Sequence, residues 1–205
     1  MTRIREILSY WFQGIDDNTV IERQAFIVKR WFAKDKIIDD DIRGQFESDI
    51  QKGRTGEYRS WEDNIRGRLA LVILYDQFSR NIYRNTLRIF ENDSLALELT
   101  LRTIQERRQG ELPFIEQMFL FMPLMHSEDL HIQRMSLECF ESLIKGSGEK
   151  SPANVSYYEY TFDFARRHYE IISKFGRFPH RNAILKRIST DEELAFLKQP
   201  GSGFR

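Results

Sequence analysis

Cysteine is nearly absent from this chain: Cys139 is the only one among 205 residues. An internal disulfide is therefore impossible, and a multi-cysteine zinc site is excluded with it. A thiol nucleophile would need a depressed pKa and a base beside it. Nothing flanking Cys139 supplies either, and it reads as a small hydrophobe on a helix face. Charge of one sign is missing as well. Lys plus Arg and Asp plus Glu balance at 31 each, and the pI is about 6.9. Nucleic-acid binders usually carry a basic excess, so that class is set aside. Long apolar runs are also lacking. No stretch reaches the roughly 20 apolar residues that a membrane helix needs. The opening MTRIREILSYWFQG has neither an apolar run nor a small-residue cleavage site. The expectation is a cytoplasmic protein without a membrane segment.

Catalytic signatures are missing too. There is no HExxH motif for a helical metal site and no nucleophile elbow around a serine. No metal and no cofactor is expected. Asn-Gly hairpin turns and alternating strand patterns are absent, and so is a clean 34-residue repeat.

What is present is material for a helical core. Hydrophobic residues make up 41% and aromatics 13% of the chain, and the mean hydropathy is −0.52. The length suits one domain spanning residues 1–205. Ile4, Ile7, Leu8, Trp11 and Phe12 follow the spacing of one apolar helix face. Thr2 is placed to cap that helix and Gly14 to end it. Thr19 and Glu22 have capping-box spacing, which predicts a second helix from there to Phe32. Ile42, Phe46 and Ile50 form a third stripe behind the acidic start at Asp39, Asp40 and Asp41.

From about Ile65 to Phe78 the chain is apolar almost all round, as in a helix buried on most sides. Helices are also predicted from Asn92 to Arg107, from Pro113 with an interruption at Pro123, and from Ser127 onward. The run Gly146 to Pro152 reads as the clearest loop. A long helix follows with Tyr158, Phe162, Ala165, Tyr169 and Ile172 on one face. Thr190 and Glu193 form a last capping box. The expected fold is all-α, an antiparallel helical stack or bundle around a central buried helix.

Three polar segments sit at the ends of strongly apolar helices. They are Asp76 to Arg84, Phe121 to Leu130, and Phe175 to Asn182. Buried polar groups need partners, so these segments form either a site or internal clamps. The order and content of these residues resemble an uncharacterised bacterial family of TPR-like helical proteins, known only as a domain of unknown function. The resemblance rests on Asp76-Gln77-Phe78-Ser79-Arg80-Asn81, on Pro123 with His126-Ser127-Glu128-Asp129-Leu130, and on Phe175 to Asn182. Ser189-Thr190-Asp191-Glu192-Glu193 and Phe196-Leu197 complete it. It covers nearly the whole chain. Ser79 stands where the family is expected to carry proline, and Lys186 where it is expected to carry glycine. The resemblance implies a TPR-like helical fold and no particular activity.

Within these segments Arg80, Arg84, Arg177 and Arg181 are fork donors suited to carboxylate or phosphate. Asn81 and Asn182 can orient a ligand or hold a turn. His126 and His180 are the candidates for proton transfer, with Asp129 three residues from His126 and on the same helical face. The preferred expectation is a pocket for a small anionic molecule, with catalysis at His126, Asp129 and His180. The alternative is a module that binds a peptide or protein partner in a groove, with the polar segments acting as clamps.

Overall fold

The computed structural model describes residues 2–23 and 25–203, and among them the regular structure is entirely helical. Helix α1 (Arg3–Phe12) buries Ile7, Leu8, Trp11 and Phe12, the stripe its spacing defines. Helix α3 (Lys36–Arg54) buries Ile42, Phe46 and Ile50. It starts earlier than its acidic run implies, because the Asp35 side chain accepts from the amides of Ile37 and Ile38.

The organising element is the central helix. Helix α4 (Ile65–Val72), a π-helical stretch over Ile73–Phe78 and helix α5 (Ser79–Ile82) follow one another without a break. Asn64 caps its start by accepting from the amides of Arg66 and Gly67. Leu69 to Leu74 are no more than 1% exposed. Helices α1, α3, α6 (Asp93–Gln105) and α7 (Phe114–Met125) pack around it. An apolar surface on every side requires this encirclement, since each face must meet another element.

Helix α7 is itself buried on nearly every side and passes it on to α8 (Leu130–Lys150), which pairs with α9 (Val155–Phe175). A short 3-10 turn at Pro152–Asn154 joins α8 to α9, so the two lie antiparallel. Helix α10 (Asp191–Leu197) closes the chain through the capping box of Thr190 and Glu193, as its spacing predicts. It docks through Phe196 on a small apolar cluster with Ile171, Ile172 and Phe178.

Four boundary expectations are corrected. Thr19 does not start a helix: its amide and hydroxyl both donate to the Asp16 carboxylate, which closes a local turn. The helix there is α2, confined to Phe26–Phe32. The run from Gly146 is not a loop, because α8 continues to Lys150. Gly146 lies against the Phe114 ring, where a Cβ would approach within 2.7 Å, and Ser147 is fully buried. Tertiary packing there overrides a weak helix propensity. Pro123 sits inside α7 without ending it. The N-cap of α8 is Asp129, not Ser127. Lys186 has φ of +54°, a left-handed backbone that glycine adopts without steric cost and that accounts for glycine being expected there.

Candidate functional site

The central helix sets the site's geometry. Gln77, Arg80, Asn81 and Arg84 recur at helical spacing and so fall on one face. That face borders a cavity of about 510 Å³. The opposite wall comes from α2, which contributes Lys29, Trp31 and Phe32. Met122, Met125 and His126 contribute from the end of α7, and Tyr160, Phe164 and His168 from α9.

At the base of the cavity lies Asp76, fully buried within the π-helical stretch. π-Helical turns often accompany functional sites, where they re-aim side chains. Asp76 Oδ1 receives Arg80 Nη2 at 3.0 Å and stands 2.7 Å from His126 Nδ1. Its Oδ2 accepts from Gln77 Nε2 at 2.6 Å. Burial works to raise the Asp76 pKa, but the pull of His126 and Arg80 prevails and holds it well below the ordinary carboxylate range. Arg80 Nη2 also reaches Asp93 at the start of α6, at 3.0 Å. Its Nε is buried without a hydrogen-bond partner among the described residues.

Behind His126 stands Arg181, whose Nη2 donates to the His126 carbonyl at 2.9 Å. Its guanidinium lies between the Phe90 and Phe178 rings, 4.8 and 4.4 Å from their centroids. Burial lowers the Arg181 pKa to about 10, and neighbouring Arg80 adds to the effect. Beside His126 is His168, with ring centroids 6.1 Å apart. His168 Nδ1 sits 2.7 Å from the Phe164 carbonyl, which makes it the protonated nitrogen. Burial pushes both imidazoles below their ordinary pKa, and Arg80 adds to this at His126. At neutral pH both are uncharged.

Arg84 and Asn81 meet a third carboxylate, Asp39 of α3. Arg84 grips it with two bonds of 2.8 and 2.9 Å, and Asn81 Nδ2 donates to it at 2.8 Å. Asp39, Asp76 and Asp93 thus hold the arginines from behind. Among the described residues, no Asp or Glu lines the cavity itself.

The other expected site residues lie elsewhere. Arg177 grips the buried Glu193 at 2.6 and 2.8 Å, and Asn182 Nδ2 donates to Glu193 and Ser189. Together they fasten α10. Asp129 is spent on capping α8. Glu128 binds Arg187 and the Phe178 amide. His180 borders a separate surface hollow near the C-terminal turn. Of the nine expected site residues, Arg80, Asn81, Arg84 and His126 line the cavity and Arg181 supports it from behind.

Sequence reasoning missed Lys29, Asp39, Asp93 and the α9 face. Asp39 and Asp93 carry no local signal, since their partners are 45 and 13 residues away. Trp31 serves both core and cavity. No group of three or more His, Cys, Asp or Glu side chains among the described residues is arranged to hold a metal ion. Burial raises the Cys139 thiol to about 12, far from a thiolate.

The fold and cavity define an all-helical protein with a cation-lined, aromatic-walled pocket beside its central helix. Residues 7–201 match the bacterial proteins of unknown function designated DUF924, and the chain belongs to that family. A solved structure titled as a protein of unknown function, ATU0120 from Agrobacterium tumefaciens, is 26% identical to it. The two superpose with a TM-score of 0.76 over 95% of this chain and 96% of the other. No curated protein matches the chain. Among the described residues, no helix is long and apolar enough to cross a membrane.

Proposed function

We propose that the protein binds a small organic anion, with a carboxylate or phosphate head and an apolar body, in the cavity beside the central helix. One observation carries this reading. The cavity wall presents Lys29, Arg80 and Arg84 and no acidic side chain, while the carboxylates that hold the arginines lie behind it. Lys29 has no carboxylate partner among the described residues. Trp31, Phe32, Tyr160 and Phe164 supply the surface for the apolar body.

A thermal-shift series with benzoate, hexanoate, phenyl phosphate and inorganic phosphate tests the proposal. A ligand at 100 times its dissociation constant stabilises the fold by about 2.7 kcal/mol. Lys29→Ala is the sharper arm, because an exposed lysine without an ion pair changes stability by no more than about 0.5 kcal/mol. The probe-induced shift should fall in that variant while its own midpoint holds. If no carboxylate or phosphate shifts the wild type, the proposal fails.

A second reading takes the helical stack as a TPR-like, peptide-binding module. Val20 before α2, Phe26 at its start and Ile37 at the start of α3 are exposed and favour it. An apolar peptide that binds equally to wild type and Lys29→Ala would support this reading over the anion.

A further inference from the structure

The anion reading leaves open which group meets the head of the ligand, and the arrangement around His126 answers it. His126 turns Nδ1 toward the buried Asp76 at 2.7 Å. A carboxylate on Nδ1 fixes the proton there and leaves Nε2 as the unprotonated nitrogen. Among the described residues Nε2 has no hydrogen-bond partner. The ring lines the cavity, with 16% of the side chain exposed. An imidazole so placed can accept a proton at Nε2 and offer that N–H to whatever occupies the cavity.

The surroundings decide when it does so. From the central helix, Asp76 and Arg80 face His126. Asp93 faces it from α6, His168 from α9, and Arg181 from the turn after α9. Lys29 and Arg84 share the cavity. Burial and Arg80 therefore oppose a charge on His126. A bound anion reverses that balance, because an opposite charge in contact favours the protonated ring.

We infer that His126 Nε2 is the direct contact of the ligand's anionic head, and that the protein takes up one proton on His126 with each anion it binds. The inference rests on the anion reading and deepens it. The proton comes from solvent, forms the Nε2–H bond and leaves again when the anion departs. No other bond changes. The sign follows from linkage. The anion raises the His126 pKa, so the bound state holds more protons and affinity rises as pH falls. The rise is at most about tenfold per pH unit and lies between the free and bound pKa values. The free value lies below the ordinary 6.5.

The test is calorimetric titration with benzoate and hexanoate, which stay ionised from about pH 5.5 to pH 8. Each is run in two buffers of different ionisation heat. The expected result is uptake approaching one proton per probe within the window and an affinity that climbs toward acid. His126→Gln keeps a side-chain N–H donor but does not titrate. It should bind the probe with uptake near zero and a flat pH profile. Should that variant fold poorly, the wild-type His126 ring resonances read the same event, since the probe should move their midpoint upward. If a probe binds with no uptake and an unmoved His126 midpoint, the inference is overturned and the anion reading stands. Uptake that persists unchanged in His126→Gln also overturns it. If neither a carboxylate nor phenyl phosphate binds at any pH, both fall together.

Discussion

Asp76 and His126 are 50 residues apart in sequence and meet at 2.7 Å beneath the cavity. The carboxylate is fully buried and also holds Arg80 and Gln77. Replacing it with asparagine keeps the shape and removes the charge. Arg80 would then keep only Asp93 as a carboxylate partner. Breaking one side of a buried pair typically costs 3–5 kcal/mol. Asp76→Asn should therefore lower unfolding stability by about 3 kcal/mol in denaturant titration. His126→Gln should cost clearly less, since it removes a neutral ring. Equal losses would mean that Asp76 acts chiefly through His126, not Arg80.

The two buried histidines predict a loss of stability on mild acidification. Both have folded-state pKa values below their unfolded ones, chiefly through burial. The unfolded chain then binds more protons, so their contribution is present above about pH 6.5 and fades as pH falls toward the folded values. Each proton contributes a slope of at most about 1.4 kcal/mol per pH unit. Denaturation midpoints between about pH 7 and pH 5 should drop in the wild type, and His168→Gln should flatten the curve. Asp76 acts lower down. Its folded pKa is depressed, so its contribution is lost only below the ordinary carboxylate range. A wild-type profile that is flat from pH 7 to pH 5 would contradict the assignment of neutral, buried imidazoles.

Much of the fold was legible because periodicity reports burial. The all-round apolar run from Leu69 to Leu74 placed the central helix, and the stripe from Ile4 to Phe12 placed α1. Gly146 misled, because its reason for being glycine is the Phe114 ring 32 positions away in sequence. The site was half legible for the same cause. Arg80 and Arg84 stood out as cations beside an apolar helix, but Asp39 and Asp93, which hold them, are set by tertiary approach alone. Lys29 is an exposed lysine on a short helix. Nothing in its local sequence separates it from any surface lysine.

Two helix glycines should respond in opposite directions. Gly44 lies in α3 with open space where a Cβ would stand. Gly44→Ala should stabilise by about 0.5–1 kcal/mol, because alanine loses less backbone entropy on folding. Gly67 begins the central helix, and a Cβ there would come within 2.3 Å of the Trp61 carbonyl oxygen. Trp61 is itself stacked on Tyr58 at 3.8 Å. Gly67→Ala must push that stack or the helix aside, for a loss of about 1–3 kcal/mol. Chemical denaturation of both variants checks the pair, and a neutral Gly67→Ala would refute the close approach.

The last prediction separates the site from the cluster that resembles it. In sequence, Arg177 and Asn182 look as suited to an anion as Arg80 and Asn81. In the fold they converge on Glu193, whose carboxylate also accepts from the Thr190 amide and completes the α10 cap. Arg177 and its neighbours lower the Glu193 pKa to about 2, so the cluster carries its own anion at neutral pH. A free anion has no reason to enter it. Glu193→Ala removes the capping box, for which a loss of about 1 kcal/mol is typical, and frees Arg177. Hydrogen exchange should then rise across α10 and the Phe178 turn, while the benzoate-induced shift stays at its wild-type size. Arg84→Ala should do the reverse and leave α10 protection untouched while the shift shrinks. If Arg84→Ala preserves the shift and Arg177→Ala abolishes it, the anion belongs at Arg177 and the cavity beside the central helix is not its site.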